Sequence, residues 1–237
     1  MSVFKQYFKF RILPLTIFGI AMGFMEAIIV VYLRELYFPN GFGFPLILPD
    51  KHLIIIAELI REVATILMLL TLAIVAGKSF YSRFAWFLFS FAVWDISYYL
   101  GLKAFLDWPS SFFTWDILFL IPLTWIGPVL APVISSVLMI VLGYSFLFAE
   151  HTGKRLKLFD WAMILIGATA IFVTFVYDFG LIIIRNGLFG DFFNLLENNQ
   201  YLHLVSDFIP EYYNWPLFFG GSFLIIIAIV RIFRDNK

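Results

Sequence analysis

The stretch 53–75, "LIIIAELIREVATILMLLTLAIV", is long and apolar enough to cross a bilayer, yet it holds Glu58, Arg61 and Glu62 within one short run. An ionisable side chain near the bilayer centre costs about 2.5–3.5 kcal/mol on insertion scales. A helix that keeps three of them must turn them away from lipid, toward other helices or a wet cavity. Reading this segment as a membrane span therefore implies a bundle with a polar interior.

Composition points the same way. Of 237 residues, 62% are hydrophobic, 21% aromatic and 14% charged, against roughly 45–50% apolar and 25% charged in soluble domains. The formal net charge is zero, and "GKRLK" is the densest basic run, so a nucleic-acid partner is excluded. Cysteine is absent, which removes disulfides, thiolate metal sites and iron–sulfur clusters. His52, His151 and His203 fall at or beyond span ends. No metal and no cofactor is expected. The N-terminus, "MSVFKQYFKFRILPLTIFGIAMGF", has no small-residue cleavage site after a short apolar core, so it reads as a retained first span.

About 20 apolar residues cross a bilayer as a helix. Segments 12–34, 53–76, 85–105, 160–184 and 216–233 meet that length. The run 114–149 is too long for one span and short for two, and Pro122, Pro128 and Pro132 interrupt it. It divides into a half-helix at about 114–126, "TWDILFLIPLTWI", re-entrant or interfacial, and a span at 129–149. The expected fold is thus all-α, one transmembrane domain over 1–237 with six spans.

Loop charge supports six crossings over seven. With a cytoplasmic N-terminus, the inner side carries Lys5, Lys9, Arg11, Lys78, Arg83, Lys154, Arg155, Lys157, Arg231, Arg234 and Lys237, eleven of the sixteen Lys and Arg. This orientation suits a bacterial inner (plasma) membrane protein with both termini cytoplasmic. The outer connection 185–215 is expected to hold an interfacial helix, with apolar positions Phe192, Leu195, Leu196, Leu202 and Val205 and Asp191 as its cap.

The intramembrane charges converge on one level. At about 1.5 Å per residue, Glu58 lies about 9 Å and Glu62 about 15 Å below the outer end of span two. Glu58 and Glu62 share a face, and Arg61 is placed to pair with Glu58. Span one brings Glu26, on the face of the Gly19–Gly23 pair. Span three brings Asp95, Tyr98 and Tyr99, and span five Tyr177 and Asp178. Asp116, also counted among the binding residues, opens the half-helix, where it would cap free N–H groups. The deep set is five acids, Glu26, Glu58, Glu62, Asp95 and Asp178, against Arg61, with Arg34, Lys103 and Arg185 able to reach in from the rim.

This pattern suits an outward-opening acidic and tyrosine-lined site in a small-molecule, ion- or proton-coupled transporter. An intramembrane enzyme is the alternative, with Glu62 and Asp95 as catalytic acid and base on a lipid or isoprenoid-like substrate. There Arg61 would orient a carboxylate or phosphate, and the tyrosines would hold developing charge. A third reading is a non-catalytic subunit whose acids pair with a partner's bases, the partner being a second copy or another membrane protein. Besides membrane lipids, the expected ligand is lipid-like or small and polar. No Walker A, GxSxG, HExxH or GxGxxG motif occurs in a usable context.

Overall fold

A computed structural model describes residues 2–47, 52–190, 195 and 198–234. The helices are α1 (Ser2–Tyr37), α2 (His52–Ala76), α3 (Phe80–Leu106), α4 (Leu130–His151), α5 (Leu158–Arg185), α6 (Asn199–Ser206) and α7 (Trp215–Arg234). Strands β1 (Trp115–Phe119) and β2 (Trp125–Pro128) lie between α3 and α4. Among the described residues, five helices are long and apolar enough to cross a membrane: α1 from Phe8 on, α3, α4, α5 and α7. The charged α2 is not among these five, although it runs for 25 residues.

Helix ends follow local chemistry. Ser79 and Ser82 cap the start of α3 reciprocally: the Ser82 N–H donates to Ser79 Oγ at 3.2 Å, and the Ser79 N–H to Ser82 Oγ at 3.0 Å. At the start of α5 the Lys157 N–H donates to Asp160 Oδ2 at 2.9 Å. The first span was expected at 12–34, but α1 extends to Ser2. No glycine or proline interrupts "SVFKQYFKFRI", and Pro14 does not end the helix.

The largest departure from expectation is at 114–126. The chain forms an antiparallel hairpin there, not a half-helix. Trp115 pairs with Pro128, Asp116 with Gly127, Ile117 with Ile126 and Phe119 with Trp125, with an irregularity between Ile117 and Phe119. The composition explains this. "WDILF" and "WI" are aromatic and β-branched, the residues that fit a pleated surface. Pro122 sits in the connecting turn and its ring is incompatible with a helix interior. Because β1 and β2 form a hairpin, the chain returns to the side it came from, and α4 starts where α3 ended. In the connection between α5 and α7, α6 is capped by Asn198, whose Oδ1 accepts the Tyr201 N–H at 3.1 Å. The expected cap Asp191, with Phe192 and Leu196, lies outside the described residues.

Packing is by close helix approach. A Cβ on Gly23 of α1 would lie 2.5 Å from the Trp94 carbonyl of α3, and one on Gly101 of α3 would lie 2.6 Å from Ala27 Cβ. Gly167 of α5 and Gly221 of α7 meet in the same way, each with its neighbour's carbonyl within 2.6 Å of a built Cβ. Small residues admit such contacts, and dispersion then replaces the water-driven term that lipid removes. Large apolar side chains face outward instead, among them Ile60, Val75, Leu165, Ile166 and Phe223. Glu26, Arg34, Glu62 and Asp116 are buried. Apolar outside and charged inside is the pattern lipid requires.

Candidate functional site

α1 and α2 both pack on α3 rather than closely on one another. Between them, at the end where the hairpin and α6 lie, is a cavity of about 250 Å³. Its walls include Glu26 and Arg34 of α1, Glu58, Arg61 and Glu62 of α2, Asp95, Tyr98 and Tyr99 of α3, and Asp116 of β1. Val30, Leu33, Ile54 and Ile55 make the apolar sides, while Phe42, Leu46, Tyr201 and Val205 line it from the connection after α1 and from α6.

Arg61 holds α1 and α2 together. Its Nε and Nη2 donate to Glu58 Oε2 at 2.9 and 2.8 Å, and its Nη1 faces Glu26 Oε1 in an ion pair. Both Glu62 oxygens accept the Leu120 backbone N–H, at 2.9 and 3.0 Å. Leu120 lies in the hairpin turn, so the turn reaches the depth of Glu62 in α2. A backbone N–H away from water needs an acceptor, and this carboxylate supplies it. Asp95 Oδ2 accepts the Ser136 hydroxyl of α4 at 2.7 Å. The Tyr98 and Tyr99 rings meet edge to face at 5.0 Å.

Arg34 is buried deeper than a rim residue would be. Its Nη2 donates to Asp116 Oδ1 at 2.9 Å, and its guanidinium carbon lies 3.8 Å from the Trp108 ring centroid and 4.3 Å from that of Phe42. Asp116 therefore closes an ion pair with α1 instead of capping a helix.

The structure thus gathers Glu26, Glu58, Arg61, Glu62, Asp95, Tyr98, Tyr99 and Asp116 around one space. It does not bring Tyr177 or Asp178 there: Tyr177 is 47% exposed on α5, and neither residue lines the cavity. Packing explains this placement. α5 gives its buried face, with Phe175 and Phe179, to β2 and its neighbours: Trp125 stacks on Phe175 at 5.9 Å, and Phe179 clusters with Ile126. The hairpin therefore occupies the place expected for span five. Lys103 does not reach inward either. It pairs with Asp107 at 2.6 Å on the exposed rim and holds that carboxyl below its ordinary range.

Ser136 and the Leu120 N–H were not foreseen as parts of the site, and neither was the pairing of Arg34 with Asp116. A signal for Arg34 is present, since Gly19, Gly23, Glu26, Val30 and Arg34 follow three- and four-residue steps along one face of α1. Among the described residues, no group of three or more His, Asp or Glu is arranged to hold a metal ion.

No family model matches the chain, and no curated protein or solved structure shows a significant likeness to it. The class rests on the fold itself: five apolar helices among the described residues, with buried charged side chains, are compatible with a multi-pass integral membrane protein.

Proposed function

We propose that the protein is a six-span membrane protein, its termini cytoplasmic in a bacterial plasma membrane, that carries a small molecule in from the outer side coupled to protons. α2 supplies the sixth span. Its charges face the cavity, while Val63, Leu67, Met68 and Ile74 are exposed as lipid-facing groups. The Lys and Arg concentrated at the opposite end support the orientation.

The observation that carries this reading is the bond from the Leu120 N–H to both oxygens of Glu62. It ties the occupant of the cavity to a re-entrant element. A hydrogen bond to a carboxylate is roughly twice as strong as one between neutral groups. A proton or a cationic ligand arriving at Glu62 weakens the tether and frees the hairpin turn to move. The acid excess supplies the coupling site: Glu26, Glu58, Glu62, Asp95 and Asp116 face two guanidiniums, Arg34 and Arg61.

The test is pyranine-loaded proteoliposomes, challenged with panels of amines, amino acids and phosphorylated amines. The expected result is a substrate-dependent proton movement that Glu62→Gln abolishes. Wild-type vesicles indistinguishable from empty ones across the panels would overturn it. One observation favours an enzyme as the second reading: Glu62 and Asp95 wall the same cavity, as an acid and base acting on a lipid-like substrate would. A new product mass from lipid extract, lost in Asp95→Asn, would favour it over transport.

A further inference from the structure

α2 is held by different means along its length. Toward its C-terminal end, Leu72, Ala73 and Ala76 pack in the core cluster that holds Leu15, Ala85 and Trp86. From Leu53 to Thr65 the buried residues are Glu62 and Thr65, while Leu53, Ile56, Ile60 and Val63 face outward. The first buried apolar side chain is Leu69. Along this half the ties to α1 and to the hairpin are polar, Arg61 to Glu26 and Glu62 to the Leu120 N–H. A segment with few buried apolar contacts opens at low cost, and here its other end stays anchored in the core.

The roof of the cavity is built the opposite way. Leu46, Tyr201 and Val205 line it from the connection after α1 and from α6. They are buried in an apolar cluster with Ile126 of β2 and Phe179 and Ile183 of α5. Among the described residues, α2 adds nothing to that cluster. Entry through the roof disrupts this packing, whereas entry between α1 and α2 parts the Glu26–Arg61 pair. The edges of that gap are apolar, Val30 and Leu33 on one side and Ile54 and Ile55 on the other. Such edges favour a hydrocarbon chain over a hydrated solute.

On the reading of the cavity as the transport site, we infer that its substrate is a cationic amphiphile that enters sideways from the lipid, between α1 and α2. Its ammonium head sits beside Glu26 and Glu58, and its chain passes between Leu33 and Ile54. The charge of the walls sets the sign: five carboxylates face two guanidiniums, so a cation is attracted and an anion repelled. The Glu26 and Glu58 side chains are 11% and 17% exposed, within reach of a head that enters the gap. An ammonium can take the place of Arg61 beside Glu26, so the group that the site accepts is also the one that opens it. The volume, about 250 Å³, is below the range of about 300–1,000 Å³ common for drug-sized ligands. It admits a head and the first part of a chain, and the rest of the chain stays in lipid.

The experiment is photolabelling of the full chain in proteoliposomes with octadecylamine or octadecyl sulfate, each carrying a diazirine on its chain. The readout is labelling of the cavity-lining residues that unlabelled octadecylamine displaces. Because the chain has no cysteine, two pairs can be added and bridged with a bismaleimide before the probe: Leu33→Cys with Ile54→Cys across the gap, and Leu46→Cys with Val205→Cys in the roof. Each pair before bridging is its own folding control. The amine is expected to label the cavity about tenfold or more above the sulfate, and Glu58→Gln to reduce that preference. The bridge across the gap should abolish labelling and the roof bridge should leave it intact. Equal labelling by the sulfate overturns the cationic head, and any other pattern of the two bridges overturns sideways entry. No displaceable labelling by either probe overturns both. Proton movement driven by water-soluble amines and untouched by the gap bridge overturns the amphiphile and leaves proton-coupled transport standing. Labelling as expected, with no proton movement for any amine, keeps the site and its entry and overturns transport.

Discussion

The two ends of the bundle are built on opposite principles. At the end bearing the cavity, α1 and α2 both pack on α3 but not closely on each other, charged side chains tie them across the gap, and a β-hairpin lies between α3 and α5. At the other end the helices touch through small residues: Ala85 against Gly143, with Trp86 and Phe146 fully buried nearby. Polar ties there sit at the helix ends, such as Arg231 Nε to Asp160 Oδ1 at 2.9 Å and Lys154 Nζ to the Arg231 and Ile232 carbonyls. Close packing has one arrangement and resists change, whereas a space held open by ion pairs responds to anything that alters charge. The difference assigns rigidity to one end and response to the other.

The comparison breaks most severely at Arg34. Replacement of Arg34 by Met leaves Asp116 buried and unpaired, at a cost of about 3–5 kcal/mol. The expected outcome is a large loss of thermal stability in detergent, largely recovered in the double variant Arg34→Met with Asp116→Leu. If the single variant melts like the wild type, the pair is not what holds β1 against α1.

Next in size is the close approach of α1 and α3. Gly23→Leu forces the helices apart, because even its Cβ meets the Trp94 carbonyl at 2.5 Å. Overpacking of this kind costs about 1–3 kcal/mol. Gly220→Ala is the control, since nothing lies within 4 Å of a Cβ built there, and it should be neutral or slightly stabilising. Equal effects of the two on melting temperature would remove the distinction between packed and unpacked glycines.

A smaller effect is expected where the two principles meet. Glu62→Gln keeps an oxygen for the Leu120 N–H but removes the charge, a loss of about 1 kcal/mol from a charge-assisted bond. Hydrogen–deuterium exchange should show faster exchange at residues 118–124, with the α5–α7 contact around Gly167 unchanged. Uniform acceleration would mean that Glu62 supports the whole bundle, not the hairpin.

The sequence carried the apolar helices α1, α3, α4, α5 and α7 because apolar length is a one-dimensional signal. It carried the convergence of Glu26, Glu58, Glu62 and Asp95 because lipid forbids charge on an outer face, which leaves each such residue one direction to point. The hairpin was not legible. A short apolar run broken by prolines is read as a half-helix when membrane helices are the prior, although "WDILF" had the aromatic and β-branched content of a strand. Asp178 shows the other limit. Depth along a helix follows from counting residues, but rotation about the bundle axis depends on which neighbour takes each face, and β2 takes that of α5.

The smallest predicted effect tests the rigid end. Asp160 caps α5 through the Lys157 N–H and also accepts from Arg231 of α7, whose side chain is 34% exposed. Asp160 is buried but keeps the Lys157 N–H, so losing the partly exposed arginine removes one hydrogen bond to a carboxylate that stays bonded, about 1 kcal/mol. Arg231→Gln should therefore shift the melting temperature little, and Asp160→Asn somewhat more, because it also weakens the cap. The α5–α7 contact should persist in both, since Gly167 and Gly221 make it by shape. A cysteine crosslink between positions 164 and 225 that forms as readily in Arg231→Gln as in the parent would place the binding of these two helices in their packing; its loss would place it in the charge and remove the contrast between the two ends.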